Sequence, residues 1–200
     1  MRIDRAFRDR AAHLDWAALA GSGDSTYFLD PQLRLAGWNE AYVAFALANG
    51  ADDLEERFPL GSDLAAAVSG PLQAYYQHLF AEILAGGAPV HRQYECSSAD
   101  EQRFLHMSAY PIAGGTGLVV SHHVVHRGAH AAPAVPLREH HTDGRGLVVQ
   151  CANCRKIRDH RTATKWDWVP EILDQPPDNV SHGLCANCLD HYYPDLDPEG

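Results

Sequence analysis

Cys151-Ala152-Asn153-Cys154 and Cys185-Ala186-Asn187-Cys188 are the same four-residue word written twice, with 30 residues between them. A Cys-x-x-Cys turn folds back so that two thiolates face one point, and two such turns supply the four soft ligands that a tetrahedral zinc site needs. The spacing exceeds the roughly 15–20 residues of a compact ribbon. The insert carries Ile157, Trp166, Trp168, Val169, Ile172 and Leu173, enough for a strand or helix with a small core of its own. A module of about 50 residues buries too little apolar surface to hold itself together, so a structural metal is expected there. The metal ligands expected are Cys151, Cys154, Cys185 and Cys188. A closed four-sulfur site leaves no position for water or substrate, which argues against metal catalysis. The same thiols carry a second reading, a dithiol–disulfide switch, and Arg155, Lys156 and Arg158 beside the first pair favour thiolates in either case. His182, three residues before Cys185, is a candidate to replace one sulfur, although a packing role is the simpler expectation.

The fifth cysteine, Cys96, falls in an alternating run and reads as a small buried residue. Five cysteines, four of them in close pairs, suit a reducing compartment better than a secreted disulfide scaffold. The amino terminus interrupts its apolar residues with Asp4, Asp9, His13 and Asp15, which does not suit a secretory leader. No apolar run reaches the roughly 20 residues that span a bilayer. The chain is therefore expected in the cytoplasm, without membrane contact. A net charge of −10 over 200 residues disfavours a large basic surface for nucleic acid, and no nucleic-acid partner is expected.

Elsewhere the periodicity changes along the chain. Ile3, Phe7, Ala11, Leu14 and Ala18 recur at helical spacing and predict one amphipathic helix over 3–20. Thr26–Leu29 and Leu33–Ala36 flank the turn Asp30-Pro31-Gln32 and predict a hairpin. Asn39 is positioned to cap a helix from about Glu40 to Ala48. Pro71 and Gly86-Gly87 bracket a longer helix. From Pro89 the period becomes two, with strands at 90–96, 103–112 and 118–125. Strands, helices, then strands give an antiparallel α+β domain. Residues 128–146, rich in Ala, Pro and His, read as a linker with solvated His130, His140 and His141. The expected organisation is a flanking helix (1–20), the α+β domain (21–127), the linker (128–146) and the four-cysteine module (147–200).

Residues 26–125 resemble a PAS domain. The likeness lies in Tyr27-Phe28-Leu29-Asp30, the hairpin, Gly37-Trp38-Asn39-Glu40-Ala41-Tyr42, and closing strands that carry Tyr110-Pro111-Ile112 and Gly117–His122. Cys151–Asp159, Trp168-Val169-Pro170, Ser181–Cys188 and Tyr193-Pro194 are similar to a cysteine-rich tail that follows PAS or receiver domains in bacterial signalling proteins. These resemblances imply a five-stranded antiparallel PAS-like sheet with flanking helices, plus a small zinc-stabilised C-terminal module. They imply a non-catalytic sensor or scaffold whose output runs through a signalling partner or a homodimer. A small-molecule ligand between sheet and helices would touch Tyr42, Phe45, Tyr76, Phe80, Tyr94, Phe104, His106 and Tyr110, each of which also reads as ordinary core. A haem-binding alternative would use His78 on the long helix. His122 and His126 fall on one face of the last strand and read as surface histidines.

Overall fold

The protein, a computed structural model, is described over residues 1–162 and 164–195; residues 196–200, assigned above to the module, lie outside the described residues. The chain divides into two compact units. One comprises Met1–Val68, Tyr76–Tyr94 and Leu105–Val125, and the other Ser69–Tyr75, Glu95–Phe104 and the chain from His126 on.

The first unit is built on a sheet of six strands, one more than expected: β1 (Arg2–Ile3), β2 (Ser25–Leu29), β3 (Leu35–Trp38), β4 (Val90–Glu95), β5 (Gln102–Ile112) and β6 (Gly117–Gly128). Their order is β1-β3-β2-β6-β5-β4. The hairpin β2–β3 is antiparallel, as are the β2–β6 and β1–β3 pairs. Asp30 sets the hairpin turn, its carboxylate accepting from the Gln32 and Arg34 N–H groups at 2.9 Å each. The turn holds Leu33 at φ +58°, which starts the second strand at Leu35 rather than Leu33. The added strand β1 lies so close to β3 that a Cβ on Gly37 would stand 2.8 Å from the Arg2 carbonyl oxygen, so only glycine fits.

The amino-terminal stretch is not one helix. After β1, Asp4 caps α1 (Arg5–Arg10) by accepting from the Phe7 N–H at 2.8 Å, and Asp15 caps α2 (Trp16–Gly21) by accepting from the Ala18 N–H at 2.9 Å. Two acidic caps within one periodic stretch restart the helix. Phe7 and Ala11 are buried with Phe28, Ala36 and Ile112, and Leu14, Trp16 and Leu19 pack around them. This apolar stripe covers one face of the chain's own sheet.

Asn39 ties the hairpin to the next helix, α3 (Glu40–Leu47). It is fully buried. Its Oδ1 accepts from the Thr26 N–H at 3.1 Å and the Tyr42 N–H at 3.0 Å, while Nδ2 donates to the Asp24 carbonyl at 2.8 Å. Beyond it come α4 (Leu54–Arg57), a 3-10 turn at Leu64–Ala67, and α5 (Pro71–Leu84). Leu72, Leu79, Phe80 and Ile83 of α5 are buried at helical spacing.

The second unit carries β7 (Val148–Cys151), β8 (Ile157–Arg158), β9 (Trp166–Asp167) and β10 (Val180–Gly183), with α6 (Glu171–Asp174) and α7 (Ala186–Tyr192). Its sheet runs β10-β7-β8-β9. β10 and β7 are parallel, and the other pairs antiparallel. Val148, Ile157, Val169 and Ile172 form a small core. Residues 128–146 differ from a solvated linker. Val135 N–H donates to the Trp168 carbonyl at 2.9 Å, and His130 stacks on the Trp168 ring with centroids 4.0 Å apart. His141 is fully buried; its Nδ1 accepts from the Arg138 N–H at 3.0 Å and its Nε2 lies 3.2 Å from Asp167 Oδ2.

The hub position predicts a large local cost. Asn39→Ala removes a helix cap, worth about 1 kcal/mol, and orphans the buried Thr26 N–H, worth about 1–3 kcal/mol. Urea unfolding followed on amides of the first unit should show a loss of about 2–4 kcal/mol; a loss below about 1 kcal/mol would contradict the role.

Candidate functional site

Two places in the chain gather chemistry, one in each unit. In the second unit, β7 ends at Cys151 and the chain turns back into β8. Cys151 N–H donates to the Lys156 carbonyl at 2.8 Å and Arg155 N–H to the Cys151 carbonyl at 3.0 Å. Arg155 takes the left-handed φ of +61° that closes this knuckle. The parallel register sets Gly183 beside Cys151, and Ala152 N–H donates to the Gly183 carbonyl at 2.8 Å. Two residues later Cys185 caps α7, and Cys188 sits in its first turn. Thus the repeated word folds in two ways, as a hairpin turn and as a helix start.

The four sulfurs lie within 4.8 Å of one another. All four residues are buried and none is in a disulfide. Cys154 Sγ and Cys185 Sγ are 3.8 Å apart. The Cys185 backbone N–H donates to Cys151 Sγ at 3.5 Å, and Asn153 Nδ2 donates to Cys188 Sγ at 3.2 Å. The other end of the Asn153 amide accepts from the Tyr192 hydroxyl at 3.0 Å, and the Tyr192 ring stands edge-on to Tyr75 at 5.0 Å. Hydrogen bonds from the neighbouring thiols to the Cys151 sulfur pull its pKa below the thiol range. Cys154, which holds its proton toward Cys151, is pushed up. Binding of a cation by such a cluster releases thiol protons, because the ligand in each case is the thiolate.

The other candidate ligands named from sequence stand elsewhere. His182 is exposed on β10, and its Cβ would be 2.7 Å from a Cβ on Gly70. His140, His141 and Asp167 lie close enough to bracket an ion. Their bonding opposes it: His141 Nδ1 accepts a backbone N–H, so Nε2 carries the proton and donates to Asp167. Lys165 Nζ, 3.2 Å from Asp167, already supplies that carboxylate with a cation. Asp159 is buried beneath Arg161 and Lys165, at 2.7 and 3.2 Å, and the guanidinium holds its carboxyl well below the usual range.

The first unit contains a cavity of about 290 Å³. Tyr42, Tyr76, Phe80 and Tyr94 line it, together with Tyr27, Leu29, Leu35, Phe58, Met107 and His122. Phe45 is outside the lining. Phe104, His106 and Tyr110 are absent from it for a geometric reason. Along β5 the buried positions are Arg103, Leu105, Met107 and Ala109, so the alternation turns the intervening residues to the other face. Phe104 and Tyr110 are exposed, and His106 stacks on His91 at 5.5 Å. His78 is exposed on α5, 3.3 Å from Glu82, and does not line the cavity.

His122, which sequence reasoning placed at the surface, is instead the polar centre of this cavity. Its Nδ1 lies 2.7 Å from the Tyr94 hydroxyl, and the Tyr27 ring stacks on its imidazole at 5.5 Å. His126 is exposed, against Phe104 at 6.0 Å. Burial lowers the His122 pKa to about 4 and raises that of Tyr27 far above the phenol range. The signal available in the sequence was parity: His122 is two residues from the buried Val120 and four from Leu118.

The family described as the PAS fold matches residues 19–130. Among solved structures, the PAS domain of BvgS from Bordetella pertussis is 17% identical over 59% of this chain and 88% of its own, with a TM-score of 0.45. A domain of a sensory box sensor histidine kinase/response regulator from Geobacter sulfurreducens is 19% identical, covering 58% of this chain and 94% of its own at a TM-score of 0.38. The PAS domain of nitrogen regulation protein NR(II) from Vibrio parahaemolyticus is 16% identical, covering 55% and 95% at 0.35. No protein with a curated description matches the chain. The family match ends at residue 130, before the first cysteine pair. Among the described residues no helix is long and apolar enough to cross a membrane.

The buried imidazole predicts a pH dependence. His122 falls from its ordinary 6.5 to about 4 in the fold, so the unfolded chain takes up this proton first on acidification. Stability from this group is intact above about pH 6.5 and declines between about 6.5 and 4, by up to about 3 kcal/mol. NMR titration of the His122 ring should give a midpoint near 4; a midpoint near 6.5 would contradict its burial.

Proposed function

This chain belongs to the PAS fold family, and on that premise we propose that it is a non-catalytic signalling sensor of the cytoplasm, with a small-molecule cavity in its PAS unit and a structural zinc in its cysteine-rich unit. The observation that carries the sensor reading is the 290 Å³ cavity, which falls at the small end of ligand pockets and combines largely apolar walls with the hydrogen-bonded Tyr94 and His122. Asp63, the carboxylate of the lining, is exposed and already caps the following turn through the Ala65 N–H at 2.8 Å, so it is not poised as an acid or base. The signal then passes to a partner protein or to a second copy of the chain.

Support for zinc is geometric. Four sulfurs about 2.3 Å from one tetrahedral ion stand about 3.8 Å apart. The Cys154–Cys185 separation is 3.8 Å. N–H donors on Cys151 and Cys188 are the partners that neutralise charge on bound thiolates. The redox alternative has less support. A disulfide needs sulfurs about 2.05 Å apart, and burial of all four thiols shields them from oxidant.

Metal analysis of the purified chain should give about one zinc per protein, retained under mild oxidant. Cys151→Ser and Cys188→Ser should lose that metal and open residues 147–195 to protease while 20–126 stay folded, because binding of the ion is folding free energy. Cleavage within residues 128–146 that leaves an intact tail in either variant would sink the structural-zinc reading. Sub-stoichiometric metal with rapid disulfide formation would favour the switch.

A further inference from the structure

The cavity wall discriminates between classes of small molecule. No lysine or arginine lines it among the described residues, so a carboxylate or phosphate inside would have no counter-ion. Its one acidic residue, Asp63, is exposed and spent on the Ala65 N–H, so an ammonium deep in the cavity would have no charged partner either. His122 is neutral at physiological pH, which marks the interior as a place where charge is disfavoured.

The polar groups have a defined sense. A phenol 2.7 Å from an imidazole nitrogen is the stronger acid of the two, so Tyr94 donates to His122 Nδ1. The proton of the neutral ring then resides on Nε2, which has no partner among the described residues and offers a donor. The hydroxyls of Tyr27 and Tyr42 likewise have no hydrogen-bond partner among the described residues. Burial keeps both phenols protonated. Their rings meet edge to face at 5.8 Å, and Tyr27 also stacks on His122, so the donors sit among flat aromatic surfaces. Leu29, Met107 and Phe80 complete the wall with apolar groups.

Resting on the assignment of this cavity as the sensor's ligand site, we propose that it takes a small, uncharged, largely planar and apolar molecule carrying a hydrogen-bond acceptor such as a carbonyl, read by the His122 Nε2–H and the Tyr27 and Tyr42 hydroxyls. The carbonyl supplies the acceptor that these three donors lack. The flat body stacks between aromatic rings, and charged analogues of the same shape are refused.

The test uses the full chain and four probes of matched size: acetophenone, ethylbenzene, benzoate and benzylamine. Binding is read by NMR shifts of cavity methyl and ring resonances. Acetophenone should bind roughly fivefold more tightly than ethylbenzene, the difference one hydrogen bond makes. Benzoate and benzylammonium should bind at least about tenfold more weakly than acetophenone. The acetophenone preference should vanish in His122→Phe and persist in His126→Phe, whose ring is exposed. Should His122→Phe fail to fold, Tyr27→Phe with Tyr42→Phe serves in its place and should reduce the same preference. A charged probe that binds most tightly, or a preference untouched by these variants, overturns the ligand class while leaving the cavity a ligand site. If no probe shifts cavity resonances up to its solubility limit, the cavity admits no such molecule and the sensor reading falls with it.

Discussion

Four sulfurs from two ends of a 38-residue stretch, Cys151 to Cys188, meet in the second unit, and under the zinc reading proposed above the fold there depends on that meeting. Among the described residues the aliphatic cluster beneath this sheet is Val148, Ile157, Val169 and Ile172, flanked by Val135 and Val180. A cluster of that size is small for a four-stranded sheet in which β8 and β9 have only two residues each. The parallel pairing of β10 with β7 sets Val180 beside Val148 and Gly183 beside Cys151, and its register brings the second knuckle against the first. Under the proposed zinc reading, the ion closes the loop that this pairing begins. Asn153 then has a clear use: it bridges the Cys188 sulfur and the Tyr192 hydroxyl, fastening α7 to the hairpin knuckle.

The first unit solves a different problem. Its sheet is covered by helices and still encloses a cavity. Asn39 holds the hairpin and α3 together by satisfying buried backbone groups from both. The amino-terminal helices seal another face of the sheet with Phe7 and Trp16, whose rings lie 6.2 and 5.2 Å from Phe28. The cavity lies among Tyr27, Tyr42, Tyr76 and Tyr94, with His122 as the imidazole of its lining.

Much of this was legible in the residues. The cysteine words announced their own convergence, because no other pattern in the chain pairs soft ligands at that spacing. Asn39 before an apolar helix, Pro71 at a helix start and the period of two from Val90 placed their elements correctly, since each is a local rule. What failed was either too short to show a period or set by distant partners. The stripe over 3–20 hid two acidic caps, and a two-residue strand is too short to show a period. Alternation along β5 was visible, but Phe104, His106 and Tyr110 are as aromatic as core residues, and only their contacts decide which parity faces inward. His141 looked solvated among prolines and histidines because its partner, Asp167, is 26 residues away. The identical Cys-x-x-Cys words also concealed that one would be a hairpin turn and the other a helix start, a difference set by β8 after the first and α7 after the second.

The central claim is that one ion is held by all four cysteine sulfurs. X-ray absorption at the zinc edge of the purified full-length chain tests it most directly. The account predicts a first shell of four sulfur scatterers at about 2.3 Å and nothing lighter. A shell containing nitrogen or oxygen, or fewer than four sulfurs, would contradict it.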